Sequence, residues 1–505
     1  MSFIVFKNVS YTYPKNYKFA LENISLSVLE NEFLAVMGNN GSGKTTLCKL
    51  INGIIPHYAG GSLSGTVTVD GLKTNDFSVS QLSLKVGMVL DDPDAQLFTP
   101  TVRHEAAFGP ENLLLTPDEI NERIKFALCA VGLDGYENRV PSTLSGGEKQ
   151  RLAIAAALSM KGKILVLDEP LCRLDPNGAQ ELMSILNEIK TKYQITIIMA
   201  AHESNIVAEY ADRVCILKNG HIRALDTAEN IFADNSLLEE NGIQPVVKRF
   251  SHECKKEQEL SAISFSFSSV PQTSESMYPH LDNSADSIIE IKNLCFSYPN
   301  GIKIENINLS INENDFIGII GKNGCGKTTL LKNITGLLKP DSGDIFIRGR
   351  NTRNLKIYDI SKEAGFVMQN PDTQLFTDSV YNEAAFALKK MKLSGKEINK
   401  RVCEALKTTG LDDADAYPHA LSRSDRTKTV IACVLAMGCK IIIFDEADAG
   451  NDFAGKIRIM DIMCDLHSKG YTVIFVTHNM FLVHEYAHRL IKLERNGIVF
   501  DRRIK

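Results

Sequence analysis

Two short glycine-rich segments of this chain have the residue types and spacing that bind the phosphates of a nucleotide. Residues 38–46 read Gly-Asn-Asn-Gly-Ser-Gly-Lys-Thr-Thr, and residues 321–329 read Gly-Lys-Asn-Gly-Cys-Gly-Lys-Thr-Thr. Glycines let consecutive backbone N–H groups curl around a phosphate, and the N-terminus of a following helix adds partial positive charge. The lysines, Lys44 and Lys327, would reach the β and γ phosphates. The alternative is a glycine-rich turn that happens to precede a lysine, which is not expected to occur twice.

Both loops stand between sequences typical of a strand and of a helix. Apolar residues 33–37 and 316–320 precede the loops, and the helix-like stretches 47–51 and 330–334 follow them. Strand, glycine loop and helix, in that order, form the context that a phosphate-binding loop needs.

Two acidic pairs, Asp168-Glu169 and Asp445-Glu446, follow apolar runs that predict buried parallel strands. The aspartate can bind Mg²⁺ beside the threonine that follows the loop lysine, and the glutamate can polarise an attacking water. The alternative is an acid that caps the turn after its strand. Because each pair occurs in a half that also carries a phosphate loop, the pattern favours catalysis.

A third motif predicts an anion-binding helix start. Residues 144–151 read Leu-Ser-Gly-Gly-Glu-Lys-Gln-Arg and precede the strongly helix-forming residues 152–158. The alternative is a plain N-cap at Ser145. That alternative does not explain Gly146 and Gly147, because glycine destabilises a first helical turn, whereas close approach of a phosphate would require it.

The motifs recur in the same order, which predicts a duplicated domain. Residues 1–234 form the first expected domain and residues 288–505 the second. Residues 235–287 lack helical periodicity and contain serine-rich stretches, which predict a flexible linker. The alternation of Phe265 and Phe267 leaves a short strand as the alternative.

Composition excludes several classes of protein. The 505 residues are 44% hydrophobic and 23% charged, which is ordinary for a globular protein, and the net charge of −5 gives no basic footprint for nucleic acid. No apolar run approaches the roughly 20 residues that span a bilayer, and the first residues do not resemble a secretion signal. The 11 cysteines form no CxxC pair, so neither a zinc site nor a disulfide framework is expected.

Together, the phosphate loop, the Leu-Ser-Gly-Gly-Glu segment, the acidic pair and a later histidine resemble ABC-type ATPases. The resemblance covers both halves and implies two α/β domains, each with a RecA-like core, an antiparallel β subdomain and a helical subdomain. It implies that the halves pair head-to-tail, so that ATP lies between the phosphate loop of one half and the Leu-Ser-Gly-Gly-Glu segment of the other. Tyr13 and Tyr298 would stack on adenine, although either could be an ordinary core tyrosine.

The resemblance implies the following site residues. The catalytic residues are Glu446, His478, Gln369, Glu169 and His202, of which the histidines sense the γ-phosphate. The ATP-binding residues are Tyr13, Gly38, Asn39, Asn40, Gly41, Ser42, Gly43, Lys44, Thr45, Thr46, Tyr298, Gly321, Lys322, Asn323, Gly324, Cys325, Gly326, Lys327, Thr328, Thr329, Ser145, Gly146, Gly147 and Ser422. The Mg²⁺ ligands are Thr45, Asp91, Asp168, Thr328, Gln369 and Asp445.

Residues 91–98, Asp-Asp-Pro-Asp-Ala-Gln-Leu-Phe, and 369–376, Gln-Asn-Pro-Asp-Thr-Gln-Leu-Phe, resemble the ATPases of energy-coupling factor transporters. This resemblance implies import of a vitamin or a metal ion, at the cytoplasmic face of the cell membrane. The implied partners are a transmembrane coupling protein and a small substrate-binding membrane protein. Four phenylalanines would line the groove for coupling helices or, as an equal alternative, belong to the core of the helical subdomain. They are Phe98, Phe108, Phe376 and Phe386.

The halves differ at three motif positions. In the second half, residues 423–427, Arg-Ser-Asp-Arg-Thr, replace Gly-Gly-Glu-Lys-Gln after Ser422, and Asn451 replaces Leu174. In the first half, Asp91 stands where the second has Gln369. In a head-to-tail pair all three changes would surround Lys44, which predicts one consensus site and one slow site.

Two other functions fit the ABC-type motifs. A soluble twin ATPase acting on ribosomes or DNA usually carries a charged helical linker or a zinc module, which this sequence lacks. An exporter ATPase is usually fused to transmembrane helices.

Overall fold

The computed structural model of the chain describes residues 2–172, 174–246, 287–298, 303–495 and 497–505. These residues form two compact units, which correspond to the two halves of the repeat. The strands of the first half are β1 (Ser2–Thr12), β2 (Leu21–Leu29), β3 (Phe33–Met37), β4 (Ser62–Val69), β5 (Leu72–Lys73), β6 (Val86–Val89), β7 (Ile164–Asp168), β8 (Thr196–Ala201), β9 (Arg213–Lys218) and β10 (His221–Thr227). Its helices are α1 (Lys44–Ile51), α2 (Ile54–His57), α3 (Val79–Leu82), α4 (Pro93–Gln96), α5 (Val102–Asn112), α6 (Pro117–Ala130), α7 (Gly146–Leu158), α8 (Pro176–Tyr193), α9 (Ser204–Tyr210), α10 (Ala228–Ala233) and α11 (Asn235–Glu240).

The second half repeats this order. Its strands are β11 (Ser287–Ser297), β12 (Lys303–Asn312), β13 (Phe316–Ile320), β14 (Ser342–Ile347), β15 (Arg350–Asn351), β16 (Ala364–Val367), β17 (Ile441–Asp445), β18 (Thr472–Val476), β19 (Arg489–Glu494) and β20 (Gly497–Arg503). Its helices are α12 (Lys327–Ile334), α13 (Ile357–Ser361), α14 (Val380–Lys390), α15 (Gly395–Thr409), α16 (Arg423–Met437), α17 (Phe453–Ser468) and α18 (Met480–Tyr486).

A six-stranded sheet forms the core of each half. In the first half the strand order is β10-β9-β3-β8-β7-β6, and all neighbours are parallel except β9 and β10. The residues of β3, β7 and β8 are buried throughout, as expected for parallel strands that are covered on both faces. Because β3, β8 and β7 are neighbours, their carboxyl ends bring together the phosphate loop, the acidic pair and His202, which we call the switch histidine of the first half.

A second, four-stranded antiparallel sheet has the order β2-β1-β4-β5 in the first half and β12-β11-β14-β15 in the second. Helices α5, α6 and α7 pack together in the first half, as α14, α15 and α16 do in the second. The predicted fold class is therefore confirmed: two tandem domains, each with an α/β core, an antiparallel subdomain and a helical subdomain.

The linker prediction is wrong for its first residues. Helix α11 lies within the predicted linker and is capped by the carboxylate of Asp234, which accepts a hydrogen bond from the N–H of Leu237. Leu238 and Ile243 are buried in the apolar core of the first half. Two apolar side chains within a polar stretch are enough to continue the domain, so the first half extends beyond residue 234. Phe265 and Phe267 lie outside the described residues.

Among the described helices, none combines the length and the apolar character that crossing a bilayer would require.

Candidate active site

The phosphate loops join the central strand of each sheet to a helix, and glycine is required where each helix begins. Gly43 has a φ of 110°, and a Cβ there would lie 2.6 Å from Cδ2 of Leu21. The equivalent Gly326 has a φ of 105°, and its Cβ would lie 2.2 Å from Cγ2 of Ile304. A larger residue at either position would strain the backbone and displace the neighbouring antiparallel sheet.

In the first half, one buried lysine connects the phosphate loop to the acidic pair. Lys44 Nζ donates hydrogen bonds to the carbonyl oxygens of Gly38 at 2.9 Å and Asn39 at 3.2 Å. It also lies 3.4 Å from Glu169 Oε1. His202 Nε2 lies 2.9 Å from the same glutamate oxygen. The lysine, glutamate and histidine predicted from the sequence are therefore in direct contact.

The second half has the same arrangement. Lys327 Nζ donates to the carbonyl oxygens of Gly321 at 2.8 Å and Lys322 at 3.3 Å, and lies 3.9 Å from Glu446 Oε1. His478 Nε2 lies 3.0 Å from this oxygen and 3.5 Å from the lysine nitrogen. Both lysines are held by their own loops, in a position where the oxygens of a phosphate could replace the carbonyl oxygens.

The two glutamates have unusual backbone and acid–base properties. Glu169 and Glu446 both have a φ of 49°, a left-handed conformation that is uncommon for residues other than glycine. Burial alone would raise the pKa of Glu169, but the hydrogen bond and charge of His202 and the charge of Lys44 outweigh it and lower the pKa to about 2. The pKa of Glu446 is lowered by the equivalent neighbours, again against the effect of burial. Both side chains are therefore ionised at neutral pH, as acceptors of a proton from water must be.

A threonine–aspartate pair lies beside each lysine. Thr45 Oγ1 donates to Asp168 Oδ1 at 3.1 Å, and Thr328 Oγ1 donates to Asp445 Oδ1 at 3.1 Å. Burial raises the pKa of both aspartates to about 6. A hydroxyl and a buried carboxyl in contact are oxygen donors of the kind that Mg²⁺ prefers, and a bound cation would stabilise the ionised carboxylate. The residues present therefore fit a magnesium ion whose remaining ligands come from a nucleotide and water.

The two halves differ at the position of Gln369 and Asp91, which we call the glutamine-loop position. Gln369 Nε2 donates to Glu446 Oε2 at 2.9 Å, so an amide orients the glutamate of the second half. Asp91 cannot donate such a bond in its ionised form. It places another carboxylate near Asp168, whose pKa is raised first by burial and further by the charges of Glu169 and Asp91.

Helices α7 and α16, which begin at the Leu-Ser-Gly-Gly-Glu segment and at its altered counterpart, both keep their N-terminal cap. We call these two segments the signatures. Ser145 and Glu148 form a capping box at the start of α7. At the start of α16, Asp425 replaces this glutamate, and its backbone N–H donates to Ser422 Oγ at 3.2 Å. A Cβ at Gly146 would meet no atom within 4 Å. Packing within the described residues therefore gives no reason for glycine there, and an approaching phosphate as the reason stays a prediction.

Arg423 donates to two backbone carbonyl groups of the second half. Its Nε donates to the carbonyl oxygen of Ala449 at 3.0 Å, and its Nη2 donates to that of Gln369 at 3.4 Å. Asn451 is buried and donates from Nδ2 to the carbonyl oxygen of Ala447 at 3.1 Å. Both departures from the motif thus bond to the loops of the second half.

A buried carboxyl group in the second half was not predicted from the sequence. Asp448 Oδ2 accepts a hydrogen bond of 2.7 Å from Thr477 Oγ1, which in turn accepts one of 3.0 Å from the N–H of Asn479. These bonds hold the residues on both sides of the switch histidine, His478. Burial raises the pKa of Asp448. The sequence signal was the acid two residues after Glu446, where the first half has an apolar residue.

The tyrosines predicted to stack on adenine are half-buried. Tyr13 shares a hydrogen bond of 3.1 Å with Thr46 Oγ1 of the phosphate loop, and its ring packs edge-on against Tyr11 at 4.9 Å. Tyr298 packs in the same way against Phe296, also at 4.9 Å. Stacking on adenine stays a prediction for both.

The four phenylalanines near the glutamine loops form two exposed pairs. Phe98 and Phe108 pack edge-on at 5.0 Å, and Phe376 and Phe386 at 4.8 Å. Phe98 is 67% exposed and Phe376 is 64% exposed. The alternative that these residues form the core of the helical subdomain is therefore wrong, because all four side chains are exposed.

A buried glutamate supports each exposed pair. Glu105 Oε2 accepts hydrogen bonds from the N–H groups of Phe98, at 3.2 Å, and Thr99, at 3.0 Å. Glu383 binds Phe376 and the next residue in the same way. Both glutamates recur at equivalent positions, which was the available signal for their role in holding the loop.

Comparison with known proteins identifies the family of this chain. The sequence profile described as "ABC transporter" matches residues 21–172 and 304–449. A protein of Caldanaerobacter subterraneus subsp. tengcongensis, provisionally described as an ABC transporter ATP-binding protein, is 36% identical over 99% of this chain and 92% of its own length. A protein of Methanosarcina acetivorans with the same description is 34% identical over 98% of this chain and 85% of its own length.

Among solved structures, CbiO1 of Clostridium perfringens is described as part of the ABC transporter complex CbiONQ. It is 34% identical, and the match covers 47% of this chain and 94% of that chain with a TM-score of 0.43.

Proposed function

The chain belongs to the ABC transporter family and is an ATPase, and from this premise we propose that it energises import through an energy-coupling factor transporter. The observation that carries the proposal is the pair of exposed aromatic patches directly after Asp91 and Gln369. Exposed apolar groups next to a catalytic loop mark a docking surface for another protein. A coupling helix seated there would move when the loop responds to the nucleotide.

The proposed partners are a transmembrane coupling protein and a small substrate-binding membrane protein. The chain would then act peripherally, at the cytoplasmic face of the cell membrane. ATP binding would close the two halves, and hydrolysis and release would reopen them. The solute, a vitamin or a transition metal ion, would bind the membrane protein and not this chain.

We further propose that the two ATP sites are shared between the halves and are unequal. The site of Lys327 uses the second half's Thr328, Gln369, Asp445, Glu446 and His478 together with Ser145, Gly146 and Gly147. The site of Lys44 combines Asp91 with the altered signature after Ser422 and with Asn451. ATP and Mg²⁺ would bind both sites.

Several contacts support a slow rather than an inactive site at Lys44. Glu169 contacts Lys44 and His202 at distances comparable with those in the other half. The changes at Asp91, after Ser422 and at Asn451 would affect the groups around these three residues, and they leave Glu169 in place. Losing one or two charge-assisted contacts, at about 1.5–3 kcal/mol each, corresponds to roughly a 10- to 10⁴-fold lower rate.

The unequal sites are tested by two matched variants, Glu446→Gln and Glu169→Gln, in the assembled transporter. Glu446→Gln should lower steady-state ATPase activity at least about 100-fold, because it removes the group that orients water in the consensus site. Glu169→Gln should lower it by less than about threefold, since that site contributes little turnover. A larger loss in Glu169→Gln would reverse the site assignment.

The transporter role is tested by fractionation and by purification in mild detergent. The chain should sediment with membranes, be released by detergent, and copurify with a coupling protein and a small membrane protein that retains its solute. Retention in the supernatant of disrupted cells, bound to ribosomes or DNA, would instead support a soluble twin ATPase.

A further inference from the structure

The two helical subdomains carry opposite charge at one corner. In the second half, five lysines lie at the end of α14, in the following turn and at the start of α15; they are Lys389, Lys390, Lys392, Lys396 and Lys400. All five are exposed. We call them the lysine corner. In the first half the residues equivalent to Lys389, Lys396 and Lys400 are the exposed acids Glu111, Asp118 and Glu122.

The equivalence of these positions is secure because the two helix pairs align without a gap. Val102 to Ile124 and Val380 to Val402 share the segment Glu-Ala-Ala-Phe and the segment Glu-Ile-Asn at the same spacing. The apolar residues that pack α15 against α14, among them Leu388, Ile398 and Val402, belong to one buried cluster. Val402 and the equivalent Ile124 of the first half are both buried, while three surface charges are reversed.

Neighbouring acids offset only part of the positive charge of the lysine corner, where Lys400 acts on Glu397 by its charge alone. In this region Arg401 is paired with Glu397 at 2.7 Å. Within the part of the chain that the structure describes, none of the five lysines forms an ion pair with a carboxylate. Lys389 donates to the amide oxygen of Asn382, and Lys390 lies 5.6 Å from the ring centroid of Phe386. Several unpaired like charges in so few residues favour an anionic partner.

We propose that the lysine corner binds the headgroups of anionic phospholipids at a membrane surface. Clusters of four to eight lysines next to exposed aromatic groups have the composition of such surfaces. Ammonium groups bind phosphates as point charges, whereas recognition of carboxylates on a protein favours the planar fork of arginine. The arginine of this corner, Arg401, is already paired with Glu397. These features favour a lipid surface over an acidic protein.

The net charge of −5 would oppose binding to an anionic membrane, so any binding must come from a local cluster. At physiological salt, the effect of an exposed charge is screened beyond about 8 Å. The electrostatic potential close to the lysine corner would therefore be set mainly by its own lysines. The equivalent acids of the first half, Glu111, Asp118 and Glu122, would not contribute to binding an anionic membrane. The two halves would differ in how strongly each is held to the bilayer.

Co-sedimentation of the full-length protein with vesicles tests this proposal. One set of vesicles contains phosphatidylcholine alone, and the other contains equal parts of phosphatidylcholine and phosphatidylglycerol. The wild-type protein should sediment with the second set only, and added salt should release it. The variant with Lys389→Glu, Lys396→Asp and Lys400→Glu carries the acidic residues of the first half. Because each lysine is expected to contribute about a fivefold gain in partitioning, this variant should bind about 100-fold more weakly or worse.

A second triple variant controls for net charge. Lys163→Glu, Lys192→Glu and Lys303→Glu change the total charge equally at exposed positions outside the lysine corner. This control should keep its partitioning within about threefold of wild type. Equal loss in both triple variants, or no sedimentation of the wild-type protein at low salt, would overturn the proposal. Unchanged thermal unfolding shows that the variants fold.

These vesicles contain no membrane protein, so the result does not depend on whether the chain energises a transporter. Failure of the lipid proposal would leave the proposed function standing, and the reverse also holds.

Discussion

The same histidine–glutamate contact occurs in both halves of this molecule but is supported differently. His202 and His478 both lie about 3 Å from the glutamate of their own half. In the second half, Thr477 precedes the histidine and is bound by buried Asp448. In the first half the equivalent residues are the buried, apolar Ala201 and Leu171.

A polar clamp therefore fixes one switch histidine, and apolar packing surrounds the other. A glutamine orients the glutamate beside the clamped histidine, whereas Asp91 occupies the equivalent loop position in the first half. The difference teaches that the residues supporting a duplicated site can change while the glutamate and histidine stay in contact.

The largest expected effect comes from Ser145→Arg. If the consensus site is shared, this change inserts a bulky cation beside the nucleotide held by Lys327, and ATPase activity of the assembled transporter should fall at least about 100-fold. The matched variant Ser422→Arg, in the altered signature, should cost less than about tenfold. Similar activity of both variants would remove the functional difference between the signatures. Because Ser145 also caps a helix, thermal unfolding of both variants must be compared.

The second effect concerns the glutamine loop. Gln369→Asp introduces the residue of the first half and removes the hydrogen bond to Glu446, so kcat should fall about 10- to 100-fold. The reverse change, Asp91→Gln, should raise turnover by less than about threefold, since the altered signature remains. Single-turnover hydrolysis in the two variants measures this directly. A large gain in Asp91→Gln would show that this residue alone makes the site slow.

The third effect is on stability and tests the difference between the polar clamp at His478 and the apolar packing at His202. Thr477→Ala leaves the Asp448 carboxyl buried without its donor and should lower the free energy of unfolding by about 1–3 kcal/mol. Adding Asp448→Leu gives the apolar pair of the first half and should restore most of that loss. Chemical denaturation measures both changes. If the double variant were less stable than the single one, the hydrogen bond would not be the reason for the buried acid.

The smallest effect is expected at the exposed aromatic pairs. Phe98→Ala and Phe376→Ala should each change the free energy of unfolding by no more than about 0.5 kcal/mol, because both rings are exposed. The buried Phe444, treated in the same way, should cost about 3–5 kcal/mol. Weaker copurification of the two surface variants with membrane partners would support docking at these rings, and unchanged copurification would argue against it.

The strand, loop and helix around each glycine-rich segment were predictable because they are set by residues close together in the sequence. The strands predicted from the apolar runs before each loop, Phe33–Met37 and Phe316–Ile320, have the predicted bounds. The helices begin at Lys44 and Lys327, three residues before the apolar stretches that indicated them, because the left-handed glycine before each lysine starts the helix.

Contacts between distant segments were harder to predict. Asp448 and Thr477 are 29 residues apart, and only the adjacency of β17 and β18 in the sheet brings them together. The exposure of Phe98 also depends on tertiary packing, since an aromatic ring after a loop is equally compatible with a core. The extension of the first domain depended on the burial of Leu238 and Ile243, two residues in an otherwise polar stretch.

The left-handed backbone at Glu169 and Glu446 sets a limit on how this protein can be stabilised. Glycine would relax that conformation, but it would also remove the carboxylate that pairs with the buried lysine of the same half, and this loss should outweigh the relief of backbone strain. Relaxing the strained backbone at these two positions is therefore not a route to a more heat-resistant protein. Any engineering of a hardier variant should hold both acids constant and look for its gains elsewhere.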